Sequence, residues 1–276
     1  MKFMKNFKRI LTVAAAAAAA VACTPKEKVL VLYYSQTGNT RAVAEKICAL
    51  TGADIEEITA VDPYSGTYEE TINRCLAERE SGALPEINPV ESDLSQYDVI
   101  FLGYPVWFGT CARPVLSFLN NESLAGKKIV PFCTFGSGGL KSSIDDINAL
   151  QGEAVVEEGF GIRAARMQAM ERELEEFLKA HGYVEGEFTK LDEFGEMRPA
   201  SEEEAAIFDE AVAGYRMINA RATEVASRAI PGGTEYLFTA VDLPREGEEP
   251  AENPHTMQVY VTVADGAAPE FTQVVR

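Results

Sequence analysis

Three short segments carry the residues best suited to holding a ligand. The first is Ser35-Gln36-Thr37-Gly38-Asn39-Thr40, set between an apolar run and a helical pattern. Gly38 permits a tight turn whose successive amides can face an anion. Ser35, Thr37, Asn39 and Thr40 add side-chain donors, and the helix that begins here directs its positive dipole end at the same spot. Such a turn can bind a phosphate dianion without a lysine, and it can equally be a plain helix cap. It has neither the GxxxxGK[ST] spacing of a nucleotide triphosphate loop nor the GxGxxG of a dinucleotide fold.

The second segment, Tyr104-Pro105-Val106-Trp107-Phe108-Gly109, places the only tryptophan of the chain after a strong strand pattern. An aromatic residue there can stack on a flat heterocycle or fold back onto the core. Pro105 and Pro114 stiffen the stretch. The third, Thr134-Phe135-Gly136-Ser137-Gly138-Gly139, leaves another strand pattern, and its glycines allow a close backbone approach. A polar turn, an aromatic platform and a glycine loop together describe a site for a phosphate tail on a planar ring.

The elements that must position these segments alternate in type. Strand patterns occur at VLVLYY, ADIEEI, YDVIFLG (Tyr97 to Gly103), KIVPFCT (Lys128 to Thr134) and Ala154 to Phe160. Helical periodicity occurs at Thr40 to Leu50, Tyr68 to Arg79, Cys111 to Leu119, Ser142 to Leu150 and Met167 to His181. Five strands alternating with five helices predict an α/β fold with a doubly wound parallel sheet. Ligands of such folds lie beyond the carboxyl ends of the strands, where strand order reverses. All three segments fall at such ends.

Beyond residue 184 the pattern changes. Residues 185–204 are acidic and contain Gly and Pro, and read as a linker. Residues 205–276 then read as a small α+β unit: a helix from Ala205 to about Asn219, a strand near Ala222 to Ala229, and alternating strands at EYLFTAVDL, TMQVYVTVAD and EFTQVV.

Residues 1–22 read as a signal peptide, with Lys2, Lys5, Lys8 and Arg9 ahead of a run of 13 apolar or small residues from Ile10 to Ala22. The small residues before Cys23 predict a lipidated cysteine, residues 23–27 serving as a tether, and hence an exported protein on a bacterial membrane, facing the periplasm or the cell surface. Removing the leader takes the formal charge from −18 to about −22. That charge excludes a nucleic-acid partner and a membrane partner held by charge, so the membrane is reached through the lipid alone. Cys48, Cys75, Cys111 and Cys133 remain, and their irregular spacing leaves both disulfides and buried thiols open. His181 and His255 have no catalytic setting, no metal-ligand spacing occurs, and no catalytic residue is assigned.

SQTGNT after the first strand, GYPVWFG after the third and TFGSGG after the fourth resemble a flavodoxin, over about residues 28–182 (domain 28–184). The resemblance implies the short-chain form and noncovalent FMN. Ser35, Thr37, Gly38, Asn39 and Thr40 would take the phosphate. The ring would lie between Pro105, Val106, Trp107, Phe108 and Gly109 on one side and Thr134, Phe135, Gly136, Ser137, Gly138 and Gly139 on the other. One departure is that the last loop has no aromatic besides Phe135, where many flavodoxins carry a tyrosine. The implied function is an FMN-binding electron carrier whose redox partner or small acceptor is not given by the sequence. The alternatives are a quinone-type NAD(P)H reductase and a non-catalytic binding protein. The C-terminal unit is similar to a cystatin, with the inhibitory turn at Ile230-Pro231-Gly232-Gly233, although Pro231 and the absent Pro-Trp pair depart from that pattern and favour a docking or dimerisation role.

Overall fold

The computed structural model describes residues 27–245, 247, 249 and 251–276. The expected leader and Cys23 lie outside the described residues.

Strands β1 (Val29–Tyr33), β2 (Asp54–Glu57) and β3 (Val99–Trp107) lie parallel, with β1 in the middle. A two-residue strand β4 (Thr110–Cys111) folds back on the end of β3. β5 (Lys128–Phe135) pairs with β3 on its other side, and β6 (Val155–Val156) and β7 (Phe160–Arg163) share the far edge of β5. The order β2-β1-β3-β5-β6 places the reversal of strand order between β1 and β3. Helices α1 (Asn39–Thr51), α2 (Tyr68–Ser81), α3 (Arg113–Asn121), α4 (Leu140–Leu150) and α5 (Met170–Ala180) connect and cover the strands.

The central strands bury both faces. Leu30, Leu32, Ile100 and Leu102 enter one core, whereas Val31, Tyr33, Val99 and Phe101 enter the other. This is why VLVLYY and VIFL read as continuous apolar runs rather than alternating ones.

Three expectations are corrected here. β3 does not stop at Gly103 but runs through Pro105 to Trp107, turns at Phe108 and Gly109, and returns as β4. Both turn residues have positive φ, 53° and 84°, the geometry of a two-residue hairpin turn. Cys111 therefore belongs to a strand, and α3 opens at Arg113 with Pro114 in its first turn. The fifth strand is split in two. Ile129 accepts from the Glu157 amide, so Pro131, two residues on, faces the same edge without an N–H to donate, and the ladder breaks there.

The third correction concerns residues 185–204. They supply an edge strand, β8 (Arg198–Pro199), and the opening of α6 (Glu202–Val212). Ser201 and Glu204 form a reciprocal capping box, and Arg198 grips Glu204 from outside. Helix α6 ends at Val212 rather than near Asn219.

α6 packs on a second, antiparallel sheet. Its remaining strands are β9 (Ala220–Ile230), β10 (Gly233–Asp242), β11 (Thr256–Ala264) and β12 (Glu270–Val275), in the order β12-β11-β10-β9-β8. Phe208, Val225, Phe238, Val259 and Val261 form its core. Residues 230–233 make the turn between β9 and β10.

Candidate functional site

The polar turn sits at the carboxyl end of β1, at the reversal of strand order. Ser35 Oγ accepts from the amides of Gly38 and Arg41, both at 3.2 Å, and so folds the turn on itself. Gly38 has φ 92°, a conformation that L side chains rarely adopt. The Asn39 and Thr40 amides open α1, ahead of its first intrahelical bond from Ala42 to Gly38. Thr37 is exposed and Asn39 half-buried at the lip of the turn. Thr40 is buried, its hydroxyl 2.9 Å from the hydroxyl of Thr134 on β5.

The nearest cation is turned away. Arg41 forks onto Glu57 at 2.7 and 2.9 Å and donates to the Tyr33 hydroxyl. An anion here would meet amides, hydroxyls and a helix end, with the guanidinium already neutralised.

Trp107 is brought to this turn by the hairpin. Its ring meets Tyr34 at 5.7 Å and Tyr64 at 5.0 Å, both edge to face. Gln36 links the same parts: the Tyr34 hydroxyl donates to its side-chain oxygen, and its amide donates to the Tyr64 carbonyl. Trp107 thus takes up both sequence possibilities, folding back onto Tyr34 and Tyr64 while lining a cleft. Phe108, at the tip, is exposed. Pro105 and Val106 are strand residues, and the Pro105 carbonyl accepts from Ala112.

The glycine loop differs most from its expected role. Thr134 and Phe135 are still in β5, and the Phe135 ring is in the core rather than in the cleft. Tyr104 is also wholly buried, its hydroxyl 3.0 Å from Ser143. The Gly136 carbonyl accepts from Arg163 and from Tyr215, and the Ser137 carbonyl accepts from the Val274 amide at 2.8 Å. Tyr215 and Val274 belong to the antiparallel sheet and its connections, so the second unit rests directly on this loop. A tyrosine from 79 residues away thus meets this loop, at a backbone carbonyl.

Between the hairpin, the start of α2, the glycine loop and the end of β12 lies a cleft of about 700 Å³. Trp107, Tyr68, Ile72, Lys141, Met217 and Arg276 line it. Lys141 is paired with Asp145 at 3.3 Å. The volume is that of a small-molecule site.

The thiols and phenols in and behind the cleft wall are held protonated. Burial, helped by Glu78, pushes the Cys75 thiol up to about 11, and burial likewise raises Cys111 and the phenols of Tyr34 and Tyr64. Cys48, Cys75, Cys111 and Cys133 are free thiols, which decides against disulfides. Buried and protonated, Cys111 acts as packing rather than as a nucleophile.

Sequence reasoning placed the turn, the tryptophan and the glycine loop, and missed Gln36, Tyr64, Arg163, Tyr215, Met217 and Val274. A Pro and Gly flanking Tyr64 in DPYSGTY marked an ordered loop. No local signal marked Tyr215 or Val274, whose contacts cross between the two sheets.

A family model described as flavodoxin matches residues 28–179. The chain belongs to the flavodoxin family. A protein assigned as a flavoprotein in Bacteroides eggerthii DSM 20697 aligns at 28% identity and TM-score 0.50, over 56% of this chain and 98% of that one. A flavoprotein of Lactobacillus acidophilus NCFM, solved in complex with FMN, aligns at 25% identity and TM-score 0.44, over 49% of this chain and 93% of that one. A curated relative named NAD(P)H dehydrogenase (quinone), from Cupriavidus metallidurans, is 34% identical over 98 residues, which are 34% of this chain and 45% of the relative. This flavodoxin-family chain thus spans less than half the length of that relative. Its family match ends before α6 begins.

Proposed function

We propose that the chain binds FMN noncovalently and works as an electron-transfer flavoprotein, exported and tethered by a lipid on Cys23. The observation that carries the reading is the neutral donor turn at the β1/β3 reversal, backed by the buried Thr40–Thr134 hydroxyl pair and flanked by Trp107. The donor set fits a phosphate monoester: open space at Gly38, two amides at the start of α1, and hydroxyls at Ser35 and Thr37. Trp107 and the 136–139 loop would hold the ring at the neighbouring cleft.

The isoalloxazine ring of FMN supplies one- or two-electron transfer. The residues of this chain bind and orient it, and the apolar wall of the cleft limits water around it. The acidic surface, about −22 without the leader, steers toward basic protein partners.

Thr37→Ala tests the phosphate assignment, since Thr37 is exposed and leaves the fold undisturbed. Titration of the purified protein is expected to show FMN weakened about ten-fold and riboflavin unchanged, the cost of a hydrogen bond to a charged group. Equal weakening of both would refute the assignment. A wild-type protein that binds neither flavin would favour the binding-protein alternative.

The lipid anchor rests on residues 1–23. Cys23→Ala is expected to move the protein from the membrane fraction to the soluble fraction. Unchanged membrane retention would exclude lipidation at this cysteine.

A second reading, a quinone-type reductase, is favoured by the walled cleft and by the relative named NAD(P)H dehydrogenase (quinone). Sustained NAD(P)H oxidation with a quinone would select it over the carrier.

A further inference from the structure

The glycine loop and the cleft beside it are shared between the two sheets. Arg163 is at the centre of the junction. It is buried, with its guanidinium 4.6 Å from the Tyr215 ring centre and 4.2 Å from the Phe271 ring centre. It donates to the Gly136 carbonyl on one side and to the Phe271 carbonyl on the other. Two carbonyls and two ring faces thereby satisfy a buried cation, and one side chain ties β7, the loop and β12 together. Arg166 makes a second tie, reaching Glu173 at 2.7 Å on α5 and Glu270 at 2.9 Å on β12.

We propose that the antiparallel unit is part of the ligand site: Tyr215 and β12 clamp the 136–139 loop so that its amides face away from them and toward the cleft, and Met217 and the end of β12 wall that cleft for a flat aromatic ring bearing acceptors at its edge.

The direction of the amides follows from peptide planarity. The Gly136 and Ser137 carbonyls point toward the second unit, where Tyr215, Arg163 and Val274 hold them. In a trans peptide the N–H lies opposite its carbonyl. The Ser137 and Gly138 amides are therefore aimed away from that unit, and both residues line the cleft.

Gly138 carries the same message sterically. A Cβ there would lie 2.0 Å from the Val274 carbonyl oxygen, inside backbone rather than against a movable side chain. The glycine is needed for the seating of β12 on the loop. The sequence alone suggests a close approach of the ligand instead. Trp107, Tyr68, Ile72 and Met217 give the cleft an aromatic and apolar lining, and donors from the loop complete a site for a planar heteroaromatic ring.

The proposal rests on the flavin reading above and deepens it, because it assigns ring binding to residues outside the matched family region. Tyr215 is a positioning residue in this scheme. Tyr215→Phe in the full-length chain removes the bond to Gly136 and keeps the ring against Arg163 and Phe271, so the junction stays packed. Two measurements judge it: amide exchange over residues 136–142 without ligand, and the dissociation constants of FMN and riboflavin. Faster exchange is expected, with both constants raised by the same factor of about five and a shifted flavin absorption band. The equal factor separates ring positioning from phosphate binding, which weakens FMN alone. Unchanged exchange overturns the clamp. So does raised exchange with either constant unchanged. If wild type binds neither flavin, the flavin reading has failed, and the exchange result alone supports or overturns the clamp.

Discussion

Trp107→Ala is expected to raise the dissociation constants of FMN and riboflavin together, by about ten- to a hundred-fold. Removing an aromatic platform from under a flat heterocycle typically costs about 1–3 kcal/mol. The loss is larger than that of one hydrogen bond because Trp107 is held in place from behind. Tyr34 and Tyr64 meet it at interplanar angles of 84° and 64°, a corner that keeps the indole from turning. Flavin fluorescence is the proper readout, since the substitution removes the only tryptophan. Trp107→Phe keeps a ring on the same wall and is expected to recover most of the affinity. A change under two-fold in Trp107→Ala would remove the indole from the site.

Gly103→Ala is expected to give the largest loss of stability, about 3 kcal/mol, at the upper end for an overpacked core. Gly103 is opposite Phe132 in the β3–β5 register, and a Cβ on it would lie 2.1 Å from the far ring carbon of Phe132. The Phe132 ring is fully buried between strands and α-helices and has no free space to swing into. Against a typical total of about 5–15 kcal/mol, that loss is a large fraction of the fold. Urea unfolding followed by Trp107 fluorescence measures it in the parallel-sheet unit. Combining Gly103→Ala with Phe132→Leu is expected to cost less than the sum of the single changes, because the smaller side chain makes room for the methyl. Strict additivity would show that the two residues do not compete for one space.

Much of this was legible along the chain because it rests on local rules. β1, β3 and β5 were readable because both faces are covered, which demands unbroken apolar runs. The polar turn was readable because Ser35 and Gly38 shape it locally, the Ser35 hydroxyl accepting from amides no more than six positions on. The Ser201–Glu204 capping box was also present in the sequence, and the acidic composition around it hid the helix start. The break at Glu157 to Gly159 was not readable there. Its cause, Pro131, is on the neighbouring strand.

The site divides along the same line. Residue type and spacing by themselves determined the parallel α/β fold, the donor turn at the β1 end and the aromatic and glycine segments near it, since each needs only its own neighbours. Only the tertiary structure decided that Phe135 and Tyr104 belong to the core and that Gly138 makes room for Val274. It also decided that Tyr215 holds the Gly136 carbonyl. The physical reason is that a carbonyl's partner and a glycine's missing side chain are properties of what packs against them, and here that is a second sheet far along the chain.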